Sequence, residues 1–522
     1  MKKQNIYKIL TIGILVSIVL SYFIPGTTVN YGTAETGTIM PVTFVDTFTN
    51  GLTSLSAFLT NFVYILVIGI FYAVLKKTGK YESLVNNVAV KFNKNKGLFI
   101  VLCIFGLGLF SLFTNDMYVI LIFVPLLISI IKKLGYSKET SLISTIGAIL
   151  VGQAGAIYTY YINQMASLTI NDNLTSKIFI SLIGLVSLVA FVLVFNNRPE
   201  STKDLEKIEE KKLLPLHIIL WTMFLLLVLG FVNWNALFKF EGFDKFLESV
   251  RDFKIAKVSV FDIIVGKTAV AFGAWQSYTA AVLFIFMTIL MKFIYKIKIN
   301  DLFESFANGL KKAFPYALVV VLANIILVNT FSSGFFYTIV IALTKKSVTV
   351  LTGTITSILA ALFYPDYGYA TQFSFTAILN TSAKDYQNLI AVLFQAVYSI
   401  FLLISPTSIL LLMGLKYNDI RYKDWFKYIY KFFGILFITV LVAITLTVKK
   451  VDTLSIVATS LLVVAVIIIF YMHVMKIKVA EKEKSFEKKE TKKEEVKEVE
   501  VKKTTAKKEN NKKSNNKKKS KK

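Results

Sequence analysis

Two aspartates that interrupt long apolar stretches are the residues of this sequence best suited to chemistry. Asp116 lies within the apolar stretch 97–131, and Asp366 lies within the stretch 348–378. An acid inside a membrane segment is energetically costly and commonly belongs to an ion or substrate pathway. We therefore predict that the two carboxylates hold a cation, a proton or the amino group of a substrate. The alternative is that each aspartate lies in an ordinary loop between two full membrane crossings.

Two further interruptions, one in each half of the chain, accompany the aspartates. They are the glycine-containing stretch 152–155 and the Ser-Pro-Thr stretch 405–407. Proline removes a backbone donor and kinks its helix, and an unpaired backbone group in hydrocarbon must be satisfied by protein, water or ligand. The N-termini of half-helices could bind a carboxylate, and freed carbonyls could bind a cation. The alternatives are a simple proline kink in the second stretch and close helix packing in the first.

We assign the substrate site to the residues at these four interruptions. The predicted substrate-binding residues are Thr114, Asn115, Asp116, Gly152, Gln153, Gly155, Asp366, Ser405, Pro406 and Thr407. The tyrosine-rich stretch 158–161 follows the glycines directly and is a candidate for a cavity wall, or for a packing role. No catalytic residue and no metal ligand is predicted, because the sequence has one cysteine and two histidines.

Composition places these residues in a membrane protein. The 522 residues are 55% hydrophobic and 17% charged, and the mean hydropathy is +0.63, whereas soluble domains are about 25% charged. A soluble enzyme is therefore excluded. At about 20 apolar residues per crossing, we expect an all-α polytopic membrane protein with about 11–13 membrane segments, including re-entrant hairpins and broken helices.

The formal net charge of +27 is divided between a tail and short loops. Residues 476–522 contain 20 Lys and 9 Glu and so contribute +11. This tail has no apolar face and is predicted to be disordered. The remaining basic residues lie between apolar runs, as the positive-inside rule describes. We therefore predict a multi-pass plasma-membrane protein with both termini in the cytoplasm, in contact with lipid and with no specific nucleic acid as a partner.

Two short stretches of the first half recur in the second half. Residues 48–52 (FTNGL) match 306–310 (FANGL), and residues 112–116 (LFTND) match 362–366 (LFYPD). The separations are 258 (306 − 48) and 250 (366 − 116), so order and spacing are nearly kept. The charge pattern puts the first Asn-Gly-Leu outside the membrane and the second inside, which predicts an inverted-topology repeat.

The repeat divides the chain into two membrane halves and three other segments. The predicted segments are a first membrane repeat (1–196), a charged cytoplasmic linker (197–212), a second repeat with its lead helix (213–448), an additional C-terminal transmembrane helix (449–475) and the basic tail (476–522). Each repeat is expected to contain a polar-tipped hairpin, an interrupted helix and a closing helix.

Several stretches resemble a known transporter family. Ser405–Ser408 followed by Tyr417–Trp425 (YNDIRYKDW), together with Tyr22–Gly26 (YFIPG) and the hairpin stretch Phe113–Gly135, is similar to segments of the C4-dicarboxylate anaerobic carrier family, including its branch of basic amino acid antiporters. The resemblance covers roughly residues 5–448. It implies the inverted repeats, re-entrant hairpins and broken helices of the ion transporter superfamily, with anionic or amino-acid substrates and frequent coupling to Na+ or H+.

Together these observations predict a secondary active transporter. It would move a small carboxylate-bearing metabolite, either an amino acid or a C4-dicarboxylate, by alternating access around a site between the two repeats. No cofactor is expected, while coupling to Na+ or H+ and a homodimer are both compatible with the prediction. The chain departs from the family pattern at Gln395–Ile400, which lacks the family's glycine and acid, so the substrate stays open. The alternatives are a membrane scaffold whose basic tail recruits partners, and a channel.

Overall fold

Helices form nearly all of the regular structure in the described part of the chain. The computed structural model describes residues 6–30, 33–114, 116–157, 162, 164, 166–196, 199, 213–255, 258–344, 349–379 and 387–448. All of them belong to one unit, Met1–Thr459, and a second unit, Ser460–Lys522, lies outside the described residues. Within the described ranges, eight helical stretches are long and apolar enough to cross a membrane. The expected helical multi-pass membrane fold is confirmed.

The described residues of the first half contain nine α-helices. They are α1 (Ile6–Phe23), α2 (Phe44–Ala57), α3 (Leu59–Lys77), α4 (Tyr81–Phe92), α5 (Lys96–Phe113), α6 (Val124–Lys133), α7 (Lys138–Leu142), α8 (Ala148–Gln153) and α9 (Leu174–Ala190). A π-helical turn, Ile143–Gly147, joins α7 to α8, so the two form one continuous helix. α2 and α4 are not apparent in the sequence, because polar residues make neither of them a clear apolar run.

The described residues of the second half contain thirteen α-helices. They are α10 (Leu213–Phe231), α11 (Trp234–Phe238), α12 (Gly242–Asp252), α13 (Val260–Ile264), α14 (Ser277–Ile294), α15 (Ile299–Ser333), α16 (Phe335–Thr344), α17 (Val350–Phe363), α18 (Tyr367–Tyr369), α19 (Thr376–Leu379), α20 (Gln387–Phe401), α21 (Ile409–Asn418) and α22 (Tyr422–Val448). A π-helical segment, Ala370–Phe375, joins α18 to α19. The predicted linker 197–212 lies almost entirely outside the described residues, as do the segments 449–475 and 476–522.

Two small antiparallel ribbons accompany the helices. Strand β1 (Thr27–Asn30) pairs with β2 (Thr33–Thr36), with Thr27 opposite Thr36. Strand β3 (Lys254–Ile255) pairs with β4 (Val258–Ser259). Both ribbons lie beyond the ends of membrane-spanning helices, where the backbone has to turn outside a regular helix.

Local sequence signals set several helix ends. Thr43 and Asp46 form a capping box at the start of α2, in which the Thr43 backbone N–H donates to the Asp46 carboxylate at 2.8 Å. Pro125 occupies the first turn of α6, where a missing N–H has no cost. Gly334 ends α15 in the left-handed conformation (φ 65°), which glycine adopts without strain.

The longest helix, α15, runs antiparallel to the helix pair α2–α3. At one end, the Asn50 amide donates to Asn329 Oδ1 at 2.9 Å, and at the other end Lys77 forms an ion pair with Asp301 at 3.2 Å. Between these contacts Gly69 and Gly309 face each other: a Cβ on Gly69 would lie 2.6 Å from the Gly309 carbonyl oxygen. The absence of side chains therefore allows the two helices to cross at close range.

Other helices present apolar side chains outward. Examples are Ile218, Trp221 and Leu225 of α10, and Val282, Phe286 and Phe293 of α14, all of them exposed. Apolar exposure along helices of membrane-spanning length is the expected surface for contact with lipid tails. The polar interruptions, in contrast, are enclosed by the hydrophobic core.

Candidate functional site

The tip of the first hairpin is enclosed in protein. The hairpin consists of α5 and α6, and residues 117–122 at its tip are all buried. Asp116 Oδ1 accepts a hydrogen bond from the Tyr118 backbone N–H at 2.8 Å, and Asp116 Oδ2 accepts one from the Ser277 hydroxyl at the start of α14. Asp116 is therefore not part of a water-exposed loop, whereas the choice between a re-entrant hairpin and a loop between two full crossings stays a prediction.

The tip of the second hairpin has a similar position but a different internal structure. α17 ends at Phe363, and the buried residues Tyr364 and Pro365 interrupt the helix. Asp366 then caps α18, because its Oδ1 accepts a hydrogen bond from the Tyr369 backbone N–H at 3.2 Å. This aspartate thus stabilises the start of its own half-helix.

The two hairpin tips bring Asp116 and Asp366 together. Their carboxylates are close enough to interact electrostatically, and Tyr118 and Tyr398 lie within the same electrostatic range of Asp366. Protein surrounds both carboxylates, yet each aspartate side chain keeps part of its accessible surface. Two acids that are enclosed by helices and stay partly accessible are suited to bind a cation or a cationic group.

The glycine-containing interruption depends on close backbone contacts. A Cβ on Gly152 would lie 2.2 Å from the Gly108 carbonyl oxygen, and a Cβ on Gly155 would lie 2.0 Å from the Lys177 carbonyl oxygen. The Ser181 hydroxyl donates to the Gly152 carbonyl at 2.8 Å. Close helix packing, the alternative considered from the sequence, is therefore present at both glycines. A direct contact between these glycines and a substrate stays a prediction.

The Ser-Pro-Thr interruption is satisfied by side-chain hydroxyls. The hydroxyls of Ser405 and Thr407 both donate to the Ala361 carbonyl in the last turn of α17, at 2.9 and 3.1 Å. The two hydroxyls are therefore bound within the second half of the chain, while the Thr407 methyl group lies beside Gly13 of α1. Ser405 and Thr407 are buried, and Pro406 between them is partly buried.

The aromatic residues that follow this interruption explain the motif noted in the sequence. Trp425 Nε1 donates to the Leu403 carbonyl at 2.8 Å, and the Tyr422 hydroxyl donates to the Ile404 carbonyl. Both carbonyls belong to the turn between α20 and α21, where the helix ladder stops. The spacing between Ser-Pro-Thr and the tryptophan therefore reflects a need to satisfy exposed backbone acceptors.

Gln395, which sequence analysis noted only as a departure from the family pattern, joins the two interrupted helices. Its amide nitrogen donates to the carbonyls of Gln153 and Ala156, at 3.1 and 2.8 Å. Gln153 in turn accepts a hydrogen bond from the Ser111 hydroxyl at 3.3 Å. A side chain of the second half thus caps the broken helix of the first half.

Several buried polar atoms around this junction have no hydrogen-bond partner among the described residues. They are Thr114 Oγ1, Gln153 Nε2, Tyr367 Oη, Gln395 Oε1 and Ser399 Oγ. Tyr367 packs against the ring of Tyr398, which itself lies near Asp366, so this group adjoins the pair of aspartates. Buried polar atoms need partners, and a polar ligand or water could supply them.

Lys177 is a functional candidate that sequence analysis missed. Among the residues that the structure describes, it is the one charged side chain that is fully buried, with 1% exposure. It lies in the first turns of α9, beside the glycine-containing interruption. In the sequence Lys177 stands at the start of an apolar run, and that position gives no sign of burial. A buried cation in a span commonly has a functional role.

Some of the predicted site residues do not belong to the part of the chain that the structure describes. Asn115 and the stretch 158–161 lie outside the described residues. Across the described ranges, no group of three or more His, Cys, Asp or Glu side chains is arranged to hold a metal ion. The structure thus brings together Asp116, Asp366 and the residues around Gln153, while Ser405 and Thr407 belong to a neighbouring set of contacts.

Comparison with known proteins gives one extensive match. The model of the C4-dicarboxylate anaerobic carrier family matches residues 21–449. No curated protein sequence matches the chain. Among solved structures, the chain is similar to the YdaH transporter of Alcanivorax borkumensis, with 13% sequence identity and a TM-score of 0.41, over 84% of this chain and 97% of that one.

Proposed function

Because the chain belongs to the C4-dicarboxylate anaerobic carrier family, and is thus a multi-pass membrane transporter and not an enzyme, we propose that it is a secondary active transporter of four-carbon dicarboxylates. Transport would take place by alternating access around the site between the two hairpin tips. We further propose that the carrier functions in the plasma membrane and is coupled to a Na+ or H+ gradient.

One observation carries the proposal: two acidic hairpin tips meet inside an apolar helical protein. Asp116 and Asp366 lie within electrostatic range of each other although 250 residues separate them (366 − 116). Next to them, buried polar atoms lack partners among the described residues. Polar groups enclosed between broken helices are the arrangement in which secondary transporters hold solutes near the middle of the bilayer.

Alternating access is supported by the direction of corresponding helices. Asn50 contacts Asn329 of α15. Asn308 lies 21 residues earlier in the same helix (329 − 308), and 21 residues span about 30 Å along a helix axis. This distance equals the thickness of the hydrocarbon core. It supports opposite membrane faces for the two matching Asn-Gly-Leu stretches, as an inverted repeat requires.

A recurring contact gives further support for a repeat. The Ile157 backbone N–H donates to the Leu112 carbonyl at 2.8 Å, and the Thr407 hydroxyl donates to the Ala361 carbonyl at 3.1 Å. The partners are separated by 250 residues (407 − 157) and 249 residues (361 − 112), close to the spacing of the two aspartates. Each interrupted helix is thus tied to the last turn of the preceding hairpin helix.

The charges of the site support coupling to a cation. A dicarboxylate would bring two negative charges near Asp116 and Asp366, and like charges at close range in an apolar environment repel strongly. Co-bound protons or Na+ ions would remove that repulsion. Backbone N–H groups at half-helix ends, such as the start of α21 after Ser408, could bind the carboxylates themselves.

An amino acid is the second candidate substrate, and the same two aspartates favour it. Its ammonium group could bind between the carboxylates of Asp116 and Asp366, while its own carboxylate would find donors among the partnerless polar atoms. Such a substrate would need less compensation from a coupling ion, because it carries its own positive charge.

Uptake into liposomes containing the purified full-length chain tests the substrate. Radiolabelled succinate, aspartate and arginine would be compared under imposed Na+ and pH gradients. We expect saturable succinate uptake that depends on one of the gradients. Uptake of arginine without succinate would favour the amino-acid candidate, and non-saturating flux of every solute would indicate a channel.

Variants of the two acids test the site. We expect Asp116→Asn and Asp366→Asn to abolish uptake without loss of expression, because each removes one charge of the pair. The matched control is Asp252→Asn, an acid whose side chain is 80% exposed. Wild-type transport in Asp116→Asn would remove that acid from the mechanism.

Deletion of the tail tests the scaffold alternative. A chain lacking residues 480–522 should keep uptake, because the family match ends at residue 449. A protein that acts by recruiting partners through its tail should instead lose its cellular function. Cytoplasmic termini and a homodimer stay predictions that reporter fusions and crosslinking in membranes can test.

A further inference from the structure

The segment between α10 and α14 is folded into a distinct structure, which we call the cap (residues 234–274, of which 256 and 257 lie outside the described residues). It contains α11, α12, α13 and the ribbon β3–β4. Arg251 connects its parts: Nε forms an ion pair with Asp262 at 3.1 Å, and Nη2 donates to the carbonyls of Lys267 and Ala269. The cap is therefore held together by its own contacts and is not an extended loop.

Both ends of the cap are attached to the end of α10. The Gly230 carbonyl accepts hydrogen bonds from the backbone N–H groups of Gly273 and Trp275, at 3.0 and 3.1 Å. Trp234 Nε1 donates to the Leu229 carbonyl at 2.9 Å. Because α10 and α14 are both candidate membrane spans, these contacts keep the cap at the level where the spans leave the bilayer.

One side of the cap packs inward through aromatic residues. Phe243 contacts Trp234, Phe240 and Phe272, and Phe272 contacts Trp275, with ring centroids 5.2–6.0 Å apart. These rings join the cap to the ends of α10 and α14. Other apolar side chains of the cap, among them Phe246 on the same face of α12 as Phe243, do not belong to this aromatic cluster and are exposed.

The exposed part of the cap is unusually apolar for a surface that would face water. The exposed large apolar side chains of the cap are Phe238, Phe240, Phe246, Phe253, Ile255, Val258, Ile263, Ile264 and Val265. Phe246 is 64% exposed and Ile264 is 77% exposed. An exposed group of this size marks a contact surface for protein or membrane.

Charge does not select the partner of this surface. By sequence, the cap contains six basic residues (Lys239, Lys245, Arg251, Lys254, Lys257 and Lys267) and five acidic ones (Glu241, Asp244, Glu248, Asp252 and Asp262). Its charges therefore nearly cancel, and apolar burial is the force that would hold a partner. Both helices that carry the cap have exposed apolar side chains, such as Trp221 and Leu225 of α10 and Tyr278 of α14.

We propose that the cap lies in the membrane interface, with Phe246, Phe253 and Ile264 inserted between lipid headgroups and acyl chains. The apolar surface of the cap then continues the lipid-facing surface of α10 and α14. Amphipathic helices at such interfaces bury their apolar face about 5–10 Å below the headgroups. α12 meets that description, because Phe246 lies on one face and Glu248 on the other.

Fluorescence quenching by lipids tests this proposal, and the single cysteine makes the design simple. In a Cys103→Ser background, bimane would be attached to cysteines introduced as Phe246→Cys and Ile264→Cys. The controls are Glu248→Cys and Lys267→Cys, which replace exposed charged residues of the same cap. Each full-length protein would be reconstituted into phosphatidylcholine vesicles in which half of the lipid carries brominated acyl chains.

We expect bimane at 246 and 264 to lose about half of its fluorescence in brominated vesicles, while the controls change little and are quenched by aqueous iodide instead. Two positions are used so that loss of folding in one variant does not decide the result. Equal quenching at 246, 264 and the controls would overturn the proposal. Energy transfer between differently labelled copies, without lipid quenching, would also overturn it and would indicate a second copy as the partner.

Discussion

The interrupted helices of the two halves occupy corresponding places, but different chemistry holds each of them. In the first half, Gly152 and Gly155 bring backbone against backbone, and the Gln395 amide of the other half donates to the carbonyls of Gln153 and Ala156. In the second half, hydroxyl and indole groups of nearby residues satisfy the interruption. The first interruption therefore depends on close backbone packing and on a side chain from the other half of the chain. The second depends on individual side-chain hydrogen bonds from its own half.

The two aspartates also differ in whether their hydrogen-bond partners come from their own half of the chain or from the other half. Asp366 caps its own half-helix, while Asp116 accepts a hydrogen bond from Ser277, which belongs to the other half of the chain. If the halves move relative to each other during transport, the contacts of Asp116 must change and those of Asp366 can persist. Under the proposed alternating access, the contact that changes would therefore be the one between Asp116 and Ser277.

The largest effect is expected from Gly152→Ala. Its Cβ would lie 2.2 Å from a backbone oxygen of α5, so a helix has to shift. We expect the free energy of unfolding to fall by more than about 3 kcal/mol, measured by thermal denaturation in detergent. The control is Gly106→Ala in α5, where nothing lies within 4 Å of a new Cβ. Equal melting temperatures for the two variants would contradict the importance of close fit.

Gln395→Leu should have the next largest effect. Leucine is similar in size to glutamine but apolar. The substitution therefore removes the donor to two buried carbonyls, those of Gln153 and Ala156. Loss of those bonds is expected to cost about 2–4 kcal/mol of stability. Gln372→Leu, at an exposed position, is the control. A stable Gln395→Leu chain would mean that the first interruption is as self-contained as the second.

Trp425→Phe should cost less, because it removes one donor from the second interruption. The Leu403 carbonyl would lose the indole N–H at 2.8 Å, and a small cavity would form. We expect a loss of about 1–2 kcal/mol in the same denaturation experiment. Trp221→Phe, on an exposed face of α10, should be nearly silent. A larger loss than that of Gln395→Leu would reverse the comparison.

The smallest effect is expected from Ser277→Ala, and it concerns uptake rather than stability. Removal of the hydroxyl that donates to Asp116 should lower uptake at low substrate concentration about fivefold, equivalent to about 1 kcal/mol. The control is Thr279→Val, whose hydroxyl has no partner in the part of the chain that the structure describes. If both variants transport normally, the contact between Asp116 and Ser277 has no role in the cycle.

The positions of the interruptions could be predicted because they break rules that operate locally. Pro406 removes an N–H, Gly152 and Gly155 lack side chains, and Asp116 and Asp366 bring charge into apolar runs. Each of these signals lies within a few residues of the feature that it predicts. α4 escaped prediction because lysines follow its short apolar face, and Lys177 escaped because it stands at the start of an apolar run.

The sequence by itself determined that this is a helical membrane carrier with two polar interruptions in each half, since burial of apolar residues and backbone satisfaction act over short stretches. Only the tertiary structure decided which groups meet. Gln395 reaches Gln153 across 242 residues, and Ser277 reaches Asp116 across 161. Helix packing determines which of these groups meet. Packing depends on the combined shapes of segments that are distant in sequence, so a local sequence pattern cannot predict it.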